Sequence, residues 1–165
     1  MSSTPERPLL AGQPASADVA LPWLMLGLVA GVSLFAQPLK FLTPGLSTAQ
    51  LVAVGSTLFH GSHALQWAGL MALALLVPRK RARPAFAWGA LAVATGTLLL
   101  QSVWLTPELD ARLAVMLSGQ TPPASVHHGA YVLIEAIKMA ALLRLATLPR
   151  RPPAVSATGS AGVAP

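Results

Sequence analysis

Apolar residues in this chain do not alternate singly with polar ones. They gather into four long runs, at about 20–36, 48–77, 85–105 and 126–148, parted by short stretches rich in proline, glycine and charge. A run of about 20 apolar residues wound as a helix spans a bilayer core of about 30 Å, and each run approaches or exceeds that length. Pro22 falls in the first turn of the first helix, where a missing N–H costs nothing, and Gln37 with Pro38 ends it. Pro78 stops the second helix, and Trp104, Thr106 and Pro107 close the third. The second run is longer than one crossing needs and more polar in its first half, which predicts a tilted helix or a turn outside the membrane. The connection 107–125 carries Glu108, Asp110 and Arg112 in a partly amphipathic pattern and predicts a short interfacial helix. Residues 1–19 and 149–165 are small, polar and proline-rich, and read as disordered tails. Asp18 stands where a signal peptide would carry basic residues, so the first run reads as a retained helix.

Composition makes the membrane reading firmer. The chain is 54% hydrophobic and 10% charged, against about 25% charged in ordinary soluble domains, too little charge to cover a surface in water. The net charge of +6 does not point to nucleic acid, because the basic residues cluster at the ends of apolar runs and are not interleaved with aromatics. Arg79, Lys80, Arg81, Arg83, Arg144, Arg150 and Arg151 follow the second and fourth runs, whereas the first and third connections carry only Lys40 and Arg112. The positive-inside bias then orients an all-α, up-down bundle of four transmembrane helices with both termini cytoplasmic. With no cysteine, disulfides, thiolate metal sites and thiol catalysis are excluded.

Topology gives the polar residues a depth. In the fourth run His128, Tyr131, Glu135, Lys138 and Leu142 recur at spacings of three and four, forming one stripe. A charge facing lipid costs roughly 2.5–3.5 kcal/mol on insertion scales, so that stripe faces the bundle, and Glu135 and Lys138, one turn apart, lower each other's burial cost. The pair suits either a register-fixing role or a functional site. His60 and His63 lie on one side of the second helix toward the same outer face as His128, which predicts a polar pocket between the second and fourth helices. If these three histidines converged they could hold a transition metal or haem; hydrogen bonding to water or backbone is the alternative. No cofactor is expected on this reading, and no nucleophilic constellation, phosphate loop or carboxylate dyad argues for an enzyme. Gly27 and Gly31 form a small-xxx-small pair suited to helix packing or to homo-oligomer contact.

The order of "GVSLFAQPLKF", "LVAVGSTLFHGSHALQ", "WLTPELDAR" and a histidine before "YVLIEAIKMAALL" resembles the small four-helix membrane family related to transmembrane protein 205 and its bacterial relatives. The likeness covers about residues 24–148, and "EAIK" in the last helix departs from it. The resemblance implies a multi-pass protein of a bacterial inner membrane and draws attention to Pro107, Asp110, Arg112 and His128; Asp110 and Arg112 also suit an ordinary surface pair. The expectation is a membrane protein, alone or in a larger complex, that binds or passes a small solute or proton. A haem- or metal-holding oxidoreductase subunit and a non-catalytic scaffold are the alternatives.

Overall fold

The computed structural model describes residues 17–76 and 85–147. Residues 1–16, the "RKRAR" connection and the tail 149–165 with Arg150 and Arg151 fall outside them, whereas 17–19, read as the end of the first tail, belong to the first helix. The described residues form four helices and no strand: α1 over 17–42, α2 over Thr48–Leu76, α3 over 85–117 and α4 over His127–Ala146. Two of the four, in the stretches Ala20–Leu42 and Phe86–Leu117, are long and apolar enough to cross a membrane. Their shared core is aliphatic. Met25 and Val29 of α1, Leu70 and Leu73 of α2, Leu91, Ala94 and Leu98 of α3, and Ala141, Leu142 and Leu145 of α4 pack together. Large apolar side chains elsewhere, among them Leu34, Phe35, Leu65, Val103 and Leu133, are left exposed on the outside of the bundle.

Pro38 and Pro107 do not end their helices as the sequence pattern predicts, and Pro78 lies outside the described residues. Helix α1 continues through Pro38 to Leu42, and α3 continues through Pro107 to Leu117. A proline inside an α-helix leaves the carbonyl four residues back without a partner and collides with it. In both helices that conflict is absorbed by a widened π turn just upstream, over Gly31–Ala36 in α1 and Gln101–Leu105 in α3. There the bonds skip to the fifth residue: Gln37 N–H donates to Val32 O, and Thr106 N–H to Gln101 O. Insertion of one extra residue into a turn is a known adjustment of helices at functional positions. The segment read as a separate interfacial helix is therefore the outer end of α3, and the true connection between α3 and α4 is only 118–126. Gly119, in the left-handed region at φ +81°, makes the turn that ends α3.

The glycine pair of α1 was expected to admit a neighbouring helix, but Gly27 and Gly31 are exposed, and a Cβ on either would meet nothing within 4 Å. Among the described residues no helix packs on them. Close approach instead uses Gly55 of α2. A Cβ there would lie 1.8 Å from Lys40 Nζ, and the Gln37 amide nitrogen donates to Gly55 O at 3.0 Å. The bare glycine lets two polar side chains of α1 lie directly on the backbone of α2.

Candidate functional site

The two widened turns and α4 meet at one point. Glu135 (4% exposed) and Lys138 (1%) are both buried, and their charged atoms are 2.7 Å apart. Gln101, in the widened turn of α3, bridges them. Its amide nitrogen donates to Glu135 Oε2 at 2.7 Å, and its amide oxygen accepts from Lys138 Nζ at 2.6 Å. Ser33, in the widened turn of α1, donates its hydroxyl to Glu135 Oε1 at 2.6 Å. Both carboxylate oxygens are thus satisfied, the ammonium has two acceptors, and the cluster carries no net formal charge. Those are the conditions under which burying a carboxylate and an ammonium becomes tolerable in a medium without water.

A second polar tier lies beside it. His63 Nε2 and Tyr131 Oη are hydrogen-bonded at 2.9 Å, with Phe59 tilted onto the tyrosine ring at a centroid distance of 4.7 Å. Trp67 donates its indole N–H to Ser102 Oγ at 3.2 Å, and Gln66 donates to Ser62 at 2.8 Å. Further out, Asp110 accepts from Ser56 at 2.6 Å and from His60 Nε2 at 2.8 Å. A carboxylate can only accept, so Nε2 of His60 carries the proton.

Next to Glu135 a cavity of about 700 Å³ opens between the helices. Its deep end is formed by Ser33, Glu135 and Thr106, its outer end by Lys40, Asp110, Arg112 and His128, and its walls are mainly apolar, including Phe59, Leu109 and Met139. Leu34 of α1 and Val132 of α4 line it and are also exposed on the outside of the bundle, at 62% and 55%. Thr106 Oγ1 points to unmet demand. The residue is buried at 6% exposure, it lines the cavity, and its hydroxyl has no hydrogen-bond partner.

This geometry redraws the pocket expected from sequence. All four helices bound it, with α1 and the outer end of α3 supplying much of the wall, and neither His60 nor His63 lines it. The histidines are engaged separately. His60 holds Asp110, His63 holds Tyr131, His127 lies edge-on to Trp104 and His128 lines the cavity mouth. Among the described residues no group of three or more His, Cys, Asp or Glu is placed to hold a metal ion. Asp110 and Arg112 do not form the surface pair considered above. Asp110 turns to α2, and Arg112 donates to the carbonyl of Pro123 in the following connection. Pro107 acts through the helix backbone and is exposed.

Sequence reasoning missed Ser33, Gln101, Ser102 and Thr106. One signal for them was present: each widened turn overlaps a serine, apolar, aromatic, two-residue and proline pattern, "SLFAQP" at 33–38 and "SVWLTP" at 102–107.

The class defined by fold and site is an all-helical protein with two membrane-length apolar helices and a buried, charge-balanced polar cluster beside an open cavity. Comparison with protein-family models, curated proteins and solved structures finds no match in any of the three.

Proposed function

We propose that this chain is an integral membrane protein of four spans, with both termini on the cytoplasmic side of a bacterial-type inner membrane, that takes an amphipathic small molecule into the cavity beside Glu135. The resemblance to the family related to transmembrane protein 205 belongs to the same proposal. The ligand has an apolar body and one hydrogen-bonding head. Its body lies along Leu34, Val132 and Met139, reached from the hydrocarbon side, and its head lies at the polar end beside Ser33, Glu135 and Thr106. The unpartnered hydroxyl of Thr106, a residue that lines a cavity with mainly apolar walls, is the observation that carries this reading. A volume of about 700 Å³ suits it too, since small-molecule sites occupy roughly 300–1,000 Å³ with mostly apolar walls and a few placed polar groups.

The test uses the full chain in nanodiscs and a fatty alcohol bearing a diazirine. Photolabelling is expected to map to the cavity walls on α1, α3 and α4. Thr106→Val removes the lone hydroxyl at constant shape and is expected to leave the melting temperature unchanged or slightly raised, because a buried polar atom without a partner is lost. The same change should lower labelling severalfold, and Ala136→Trp, which fills the cavity, should abolish it. Labelling indifferent to both changes would overturn the proposal. Topology is read separately. The chain has no cysteine, so single cysteines at Pro123 and Ala82 should react with an impermeant maleimide from opposite sides of the membrane.

A further inference from the structure

Segments of the two halves of the chain correspond in register, 17–42 with 86–111 and 60–76 with 128–144. Shifting α1 by 69 positions onto α3 superposes Gly27 on Gly96, Ser33 on Ser102 and Pro38 on Pro107. Shifting α2 by 68 onto α4 superposes His60 on His128, Gly61 on Gly129, Leu65 on Leu133, Ala68 on Ala136, Met71 on Met139 and Ala72 on Ala140. Burial follows the same register. Met25 and Val29 are buried as Ala94 and Leu98 are, and His63 and Leu70 are buried as Tyr131 and Lys138 are. The widened turns fall at matching places.

Side-chain contacts obey the correspondence as well. Ser33 of α1 reaches across to Glu135 of α4, and its counterpart Ser102 of α3 reaches across to Trp67 of α2, the counterpart of Glu135. His63 and Tyr131, which are counterparts, bond to each other. That is the behaviour of groups on either side of a two-fold axis. Like helices run in the same direction, so the axis lies along the bundle, the arrangement of parallel repeats in membrane proteins whose sites sit where the repeats meet.

We infer that the chain is two copies of one helical hairpin, α1–α2 and α3–α4, related by an approximate two-fold axis, and that Trp67 with Val32 and Leu70 fills a second copy of the position occupied by Glu135 with Gln101 and Lys138. The chain has one polar position and one apolar position of the same backbone design. Val32 stands where Gln101 does and Leu70 where Lys138 does, so the first hairpin lacks both the bridging amide and the ammonium that a carboxylate needs. An indole in place of the carboxylate satisfies the serine by donating to it, where Glu135 accepts from its serine.

The inference is independent of any ligand and is tested by building the polar cluster in the first hairpin of the full-length protein. Trp67→Glu alone places a carboxylate beside Ser102 without a counter-charge. It should lower the melting temperature in detergent by about 10 °C, or abolish recovery of monodisperse protein. Adding Val32→Gln and Leu70→Lys to Trp67→Glu should restore at least half of that loss. A control with the lysine moved to the exposed neighbour, Trp67→Glu with Val32→Gln and Ala68→Lys, should not. If the matched triple is no more stable, or no better recovered, than the single variant or the control, the equivalence of the two positions is overturned.

Discussion

Lys138→Met is expected to be the most damaging single change in the described bundle, costing about 3–5 kcal/mol and lowering the melting temperature by about 10 °C. The substitution keeps length and apolar volume but deletes the ammonium bonded to both Glu135 and Gln101. Glu135, 4% exposed, is then a carboxylate among aliphatic side chains with only neutral donors. Most of the loss comes from that stranded charge, not from the net worth of the pair, and the distinction can be measured. In the double variant Glu135→Gln with Lys138→Met, the amide oxygen accepts from Ser33 in place of Oε1 and the amide nitrogen, in place of Oε2, donates to the oxygen of a flipped Gln101 amide, so no charge is left unpaired and stability should return to within about 2 kcal/mol of the parent. Thermal melts of the two single variants and the double variant in one detergent give the coupling energy directly. Additive losses would mean that the two charges act independently, and the cluster would not be a unit.

The second large effect is expected at Gln101. Its amide is fully buried, donates to the carboxylate and accepts from the ammonium. Gln101→Leu removes two bonds to charged groups at once and should cost about 3 kcal/mol, whereas Ser102→Ala, one residue on, removes only the acceptor for the Trp67 indole and should cost about 1 kcal/mol or less. The contrast between adjacent positions separates loss of the bridge from general disturbance of the widened turn that holds both residues. Equal losses at the two positions would assign the effect to the turn.

Much of this architecture was legible in the sequence because it rests on long-range composition. Four apolar runs broken by proline, glycine and charge predict four helices, and four helices are present in the described residues. The misjudged ends have one cause. Pro38 and Pro107 were read as stops, but a π turn upstream lets a helix pass a proline, and the serine-to-proline pattern shared by 33–38 and 102–107 follows no general rule for such a turn. Glu135 and Lys138 were found because ionised groups stand out in an apolar run. Ser33, Gln101 and Thr106 did not stand out, since uncharged polar residues are cheap on either face of a helix, and only packing decides which way they turn. His60 and His63 were grouped because they are three apart. Three residues turn a helix by about 300°, leaving the two side chains roughly 60° apart, enough for one to meet Asp110 at the rim and the other Tyr131 inside.

Gly55 seats Lys40 by what it lacks. With only a hydrogen at that position, the tip of Lys40 lies flat on α2; a methyl group would displace it and the Gln37 amide from their seats beside the cavity. The smallest possible enlargement of the chain, one carbon on α2, is thus enough to unseat a cation at the rim of the cavity.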